Sequence, residues 1–265
     1  MERTDTPVAR RVTGHRPGWW PVFRRNFLVW RKLLGPALLG NFGEPLLYLL
    51  ALGYGLGSIV GRIDQMPYIT YLASGIVVSS AMMTASFEGL YSAYTRMEVQ
   101  KTWEAMLTTP LDVRDVVVGE ALWGAAKSLM SSVCILLVAA LLGAVDSWQS
   151  LLALPVVLLT GLCFAALALV VTAFARNYDF FLYYTTLLLT PMLLISGVFF
   201  PLGQMPDPVQ WLALGLPLAH AVELVRPLMT GLPLGNPLIH LLVLLGYTLA
   251  GLALAIRVIE RRLRG

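Results

Sequence analysis

Six stretches of this chain, near residues 36–57, 69–93, 117–143, 149–175, 180–200 and 237–257, are apolar over about the length a helix needs to cross a bilayer. Nothing else in the sequence restricts the fold as much. In hydrocarbon every backbone polar group must be satisfied within its own segment or in a closed barrel. No strand-like alternation is present, so the barrel is excluded and the runs read as helices. Of the 265 residues, 57% are hydrophobic and only 13% charged, and the mean hydropathy is strongly positive. A soluble domain of that composition could not cover its surface with polar groups. The expected fold class is an all-α integral membrane protein with six transmembrane helices, no internal repeat and no room for a sizeable extramembrane domain. Cys134 and Cys163 lie inside apolar runs, which argues against a disulfide framework or zinc site. Residues 1–35 begin polar and basic, so no cleavable signal peptide is expected.

Lysine and arginine placement orients the spans. With the N-terminus inside, the inner segments hold 16 of the 19 and the outer ones only Arg62 and Arg226, with Lys127 inside a span. Both ends are therefore expected in the cytoplasm. The expected divisions are a cytoplasmic tail and interfacial helix over 1–35, a six-span domain over 36–257, and a basic cytoplasmic tail over 258–265. Basic residues gathered at the ends suit an anionic inner leaflet better than nucleic acid.

Residues 19–34 place Phe23, Phe27, Trp30 and Leu34 on one helical stripe, with Arg24, Arg25, Arg31 and Lys32 on the other side. That pattern predicts an amphipathic helix lying on the inner leaflet; a plain basic flank of the first span is the alternative. The outer connection 201–236 is apolar but broken by seven prolines, counting Pro237 at its end. Its pieces, such as 208–216 and 218–230, are too short to span, and re-entrant helices or an ordered loop both fit.

No glycine-rich phosphate loop is present: at Lys127-Ser128 the preceding residue is Ala126, where a glycine would be required. His15, His220 and His240 are far apart in sequence and lack metal-ligand spacing. No Ser/His/Asp motif assembles, so the chain is not expected to be an enzyme. Charge inside a span is costly and normally faces protein or water. Glu44, Glu88, Glu120 and Lys127 are the intramembrane candidates. Glu120 and Lys127 are seven apart on one face, with Gly124 between them. Interhelical salt bridging or solvation at the interface is the expected role, with a proton relay as the rival. Glu223 and Arg226 read as a helical ion pair on the outer side. Phe180, Phe181, Tyr183, Tyr184, Phe199 and Phe200 flank the fifth span and read as aromatic belts.

The most informative stretch is the inner connection 94–120, YTRMEVQKTWEAMLTTPLDVRDVVVGE. Residues 95–107 fit a short amphipathic helix with Arg96, Glu98, Lys101 and Glu104 alternating in charge. Thr108-Thr109-Pro110 ends it, and Asp112 with Asp115 is a capping pattern for the next helix. With Trp103 and Met106 read as exposed, the helix is suited to docking in a groove on a soluble partner.

The run Arg96 to Leu107, RMEVQKTWEAML, resembles the ABC-2 class of ABC-transporter permeases, and within it the nodulation protein J group. The same resemblance appears at 175–179 (ARNYD), 195–201 (ISGVFFP) and 216–227 (LPLAHAVELVRP). Together these cover about residues 70–230 in the right order. The resemblance implies an ABC-2, type V exporter-like permease that dimerises and works with two cytosolic ATPase subunits of the nodulation protein I type. ATP and magnesium would sit on those partners, leaving no cofactor in this chain. It implies export of an amphipathic molecule such as a lipo-oligosaccharide across the bacterial inner membrane, a drug or lipid being the alternative cargo. The segment 94–115 would couple to the ATPase through Arg96, Glu98, Lys101, Trp103, Glu104 and Met106. The outer segment with His220, Glu223 and Arg226 would form the re-entrant helices near the exit. An ion-coupled secondary transporter is the rival from another class. It would want midplane carboxylates and a repeat.

Overall fold

The computed structural model describes residues 18–32, 35, 46–63, 66–145 and 147–264, so Glu44, His15 and Leu34 lie outside the described residues. In chain order the helices are α1 (Trp19–Arg31), α2 (Leu46–Val60), α3 (Tyr68–Val99), α4 (Thr102–Leu107) and α5 (Val113–Leu141). They continue with α6 (Trp148–Phe174), α7 (Asp179–Ile195), α8 (Asp207–Ala213), α9 (Pro217–Thr230) and α10 (Pro237–Arg264). A two-residue antiparallel hairpin, Arg62–Ile63 with Met66–Pro67, joins α2 to α3.

Among the described residues, α3, α5, α6 and α10 are long and apolar enough to cross a membrane by length and composition. Two shorter apolar helices, α2 and α7, stand where the first and fifth spans were expected. The first expected span begins among residues that are not described. The fifth stops at Ile195, short of the expected 200, because Gly197 turns the chain at φ 76° and the segment after it folds back against α3.

The most apolar window of α3 is 83% buried against 22% for α10, so α3 is the centre of the bundle and α10 its edge. Helices α5, α6 and α9 surround α3, α10 lies along α6, and α1 docks on α5. Small residues permit this closeness. A Cβ on Gly89 would meet the Ala168 Cβ at 2.7 Å and the Ala165 carbonyl at 3.2 Å. Lipid offers no hydrophobic drive between helices, so such close backbone packing and interhelical hydrogen bonds must hold them. Such bonds include Ser80 to Ser131 at 2.9 Å, Ser132 to the Val77 carbonyl at 2.9 Å, and Thr172 to the Gly89 carbonyl at 2.7 Å. At the end of α6, Arg262 of α10 donates to the Thr172 and Ala173 carbonyls at 2.9 and 2.8 Å. A cation on terminal carbonyls satisfies both the orphan acceptors and the helix dipole.

The expected aromatic stripe of α1 is present, but it faces protein as well as the periphery. Phe23, Phe27 and Trp30 all make edge-on ring contacts with Trp123 of α5, and Val22 is buried. Gly119 makes the docking possible, since a Cβ there would stand 2.6 Å from the Val22 Cβ. Phe181 also departs from its expected belt position. It is fully buried in a ring cluster with Tyr91, Tyr94 and Tyr178, whereas Phe180, Tyr183 and Phe200 are exposed.

Candidate functional site: the α3–α5 connection and the charges behind it

The connection between α3 and α5 is not the single helix expected over 95–107. The end of α3 runs through π turns at Glu88–Ser92 and Thr95–Val99, breaks at Gln100, and resumes as α4. The break turns on Lys101, whose φ of 51° makes it the only described residue other than glycine in the left-handed region. The physical reason is direction: the chain leaves the bundle along α3 and must return along α5, and an unbroken helix would carry it away. A β-branched side chain is poorly tolerated there. Lys101→Val should therefore lower stability by about 1–2 kcal/mol, while Lys101→Gly should leave it unchanged or slightly higher. Thermal unfolding of the purified chain in detergent separates the two outcomes. The return into α5 follows the sequence: Asp112 and Asp115 form the expected capping box, with the Asp112 amide donating to the Asp115 carboxylate at 3.2 Å.

Behind this turn lies a network of buried charges. Arg96 donates through Nε to Glu120 Oε1 at 3.0 Å and through Nη2 to Glu120 Oε2 at 2.5 Å, gripping that carboxylate with both arms. The same Nη2 reaches Glu88 Oε1 at 2.8 Å. Lys127 Nζ donates to Glu88 Oε2 at 2.7 Å. Two indoles complete the set: Trp123 Nε1 donates to Glu88 Oε1 at 3.0 Å, and Trp103 Nε1 to Glu120 Oε1 at 3.2 Å. The side chains of Glu88 and Glu120 are 4% and 1% exposed, so every one of these donors replaces lost water. Two cations meet two carboxylates, and all four carboxylate oxygens are engaged. The interhelical salt bridging expected of Glu88, Glu120 and Lys127 is present, and Arg96 is its centre.

The network divides the six expected coupling residues into two groups. Trp103, expected to be exposed, is fully buried, and Arg96 points inward. Met106 is half-buried against the core. Lys101 and Glu104 remain on the outer face, paired with each other at 3.0 Å, and Lys101 also reaches Glu98 at 3.4 Å. The Glu104 carboxylate, through its hydrogen bond, and the Glu98 charge hold the Lys101 ammonium above its ordinary range. Glu98 is also held by Arg262 at 2.7 Å, the same guanidinium that closes α6. Sequence reasoning missed Trp123. The signal available was its spacing, three residues after Glu120 and four before Lys127, on their shared helical face.

Helices α8 and α9 form one broken unit bent by 86°. The expected Glu223–Arg226 pair does not appear among the salt bridges of the described residues. Arg226 instead turns toward α3, donating to Ser74 Oγ at 3.0 Å and to the Gly197 carbonyl at 2.7 Å, with its guanidinium 3.7 Å over the Tyr71 ring. Glu223 is exposed on α9. Desolvation explains the exchange: inside the bundle Arg226 finds fixed carbonyl, hydroxyl and π partners, which a solvated carboxylate does not match. His220 and His240, which sequence spacing set apart, meet Nδ1 to Nδ1 at 2.8 Å, and His220 Nε2 lies 2.9 Å from the Leu214 carbonyl. No group of three or more potential metal ligands occurs among the described residues.

A sequence model described as "ABC-2 type transporter" matches residues 18–230, which includes α1, both sides of the charge network and the bent α8–α9 pair. The chain belongs to the ABC-2 type transporter family. Among ABC-2 relatives it is similar to nodulation protein J of Sinorhizobium fredii, with 46% identity over 246 residues, 92% of this chain and 94% of the relative. Nodulation protein J of Bradyrhizobium diazoefficiens is 47% identical over 260 residues, 98% of this chain and 99% of the relative. The inner membrane transport permease YadH of Escherichia coli is 24% identical over 207 residues, 77% of this chain and 78% of the relative. This ABC-2 chain is thus the membrane component of a transporter, and membership implies an ATPase partner.

Proposed function

We propose that the chain is the permease subunit of an ATP-driven exporter in a bacterial inner membrane. Two copies form a homodimer and two cytosolic ATPase subunits dock beneath it, carrying the ATP and magnesium. The cargo is an amphipathic, lipid-linked or oligosaccharide-type molecule of the lipo-oligosaccharide kind. Support for the cargo class comes from the nodulation protein J relatives, and support for the membrane from the E. coli relative's name. In this reading α2 and α7 complete six spans, with α1 on the inner leaflet. The bent α8–α9 pair re-enters from outside, as the 16-to-2 distribution of basic residues orients it.

The observation that carries the coupling role is the two-sided build of the inner connection. Its outer face presents Lys101 and Glu104 on a short helix. Its inner face is fixed to α3 and α5 through Arg96, Trp103, Glu88 and Glu120. A displacement imposed on α4 then becomes a tilt of two spans, with little slack to absorb it. Glu104→Lys tests this. The side chain is 55% exposed, so stability should stay within about 0.5 kcal/mol. Co-purification of the ATPase and permease-dependent ATP turnover in lipid should fall together, by about tenfold for an anchor at the centre of the contact. Normal co-purification and turnover would remove this face from the coupling role.

A further inference from the structure

Between α1, α3 and α5 lies a cavity of about 300 Å³, whose lining includes Arg25, Asn26, Trp30, Arg96 and Lys127. Two buried donors in its lining stand without a partner. Asn26 is 3% exposed; its Oδ1 accepts from Arg25 Nη1 at 3.0 Å, and its Nδ2 is buried without a partner. Trp30 Nε1 is likewise buried without a partner. Buried donors left unsatisfied are costly, and two in one cavity point to an acceptor that belongs there. The charges agree. Arg25, Arg96 and Lys127 face the two carboxylates Glu88 and Glu120, which leaves one positive charge in excess. Burial first, and then the nearby Arg96 charge, hold the Arg25 guanidinium below its ordinary range, against the opposing effect of Glu120.

A second cavity of about 300 Å³ adjoins it. The two share Glu88, Ser92 and Lys127, but the second runs between Ile76, Met83, Phe87, Leu193 and Phe199. One end is therefore cationic and rich in donors, and the other is mostly apolar, with the Ser79, Ser80 and Thr84 hydroxyls on its wall. We propose that the two cavities together bind one anionic amphiphile of phospholipid type, its acidic headgroup on Arg25, Asn26, Trp30 and Lys127 and its chain in the apolar arm. Basic pockets between helices on the cytoplasmic side suit such headgroups. The inference does not depend on the cargo, and its test needs neither ATPase nor transport.

The experiment is native mass spectrometry and thermal unfolding of the full chain in detergent with phosphatidylglycerol, phosphatidylcholine or inorganic phosphate. Wild type should retain phosphatidylglycerol in preference to phosphatidylcholine, and only the former should raise the unfolding temperature. Trp30→Phe keeps the ring and removes the donor. It should weaken phosphatidylglycerol binding about tenfold while unfolding without lipid at the same or a higher temperature. Arg25→Gln should weaken binding to a similar extent. Equal retention of the two lipids, or unchanged phosphatidylglycerol binding in both variants, would overturn the site. A shift from phosphate as large as that from phosphatidylglycerol would overturn the amphiphile assignment, because the apolar arm would then contribute nothing.

Discussion

Arg96→Met is expected to destabilise the chain by about 3–5 kcal/mol, the usual cost of removing one partner from a buried ionic network. Glu120 would suffer most. Of its three donors, Arg96 supplies two, and only the Trp103 indole would remain. Glu88 is better insured, since Lys127 and Trp123 both still reach it. The unfolding midpoint in detergent should drop by roughly 10 °C. A companion variant, Arg96→Met with Glu120→Leu and Trp103→Phe, removes charge and donor together and should recover most of the loss. If the network transmits motion, that companion will fold well and still fail to couple ATP turnover to transport. A drop of under 1 kcal/mol for Arg96→Met alone would mean that water reaches the network freely.

Trp103→Ala is expected to cost about 3–5 kcal/mol, because it empties a fully buried site as well as removing a hydrogen bond to Glu120. Trp103→Phe keeps most of the volume and should cost only about 1–3 kcal/mol, the price of an unsatisfied carboxylate lone pair. Both are read from midpoint shifts and from the amount of chain recovered in the membrane fraction. Loss of ATPase binding in Trp103→Ala would then be a consequence of a loosened α4, in contrast to Glu104→Lys, where the fold stays intact. Equal stability of Trp103→Ala and wild type would place the indole outside the core and return it to the docking face.

Sequence pattern located the long helices well because span length and hydropathy are local properties. Four expected spans correspond to α3, α5, α6 and α10, and the Asp112–Asp115 cap sits where its spacing put it. Pattern was least informative where a residue type fits two environments equally well. Trp103, Met106 and Arg96 on a charged connection read as a docking face, since a sequence does not show which side of a short helix a second helix will cover. Glu223 and Arg226 are three apart and read as a pair, but a partner 152 residues away in sequence, Ser74, outcompetes the local one.

Pattern and composition alone were enough to read this chain as helical and membrane-embedded, to find its basic residues gathered at the two ends and in a few connections, and to find charged residues clustered near one end of two spans. These follow from the transfer cost of backbone and charge into hydrocarbon, which depends on composition and spacing alone. Which charges meet was settled by packing. Glu88, Arg96, Glu120 and Lys127 come together because α3 and α5 pack closely and because the chain reverses at Lys101. His220 reaches His240, and Arg226 reaches Ser74, for the same kind of reason. A carboxylate in a low-dielectric interior is stabilised by whichever donors the packing places within 3 Å or so, and that placement is fixed by contacts between distant parts of the chain.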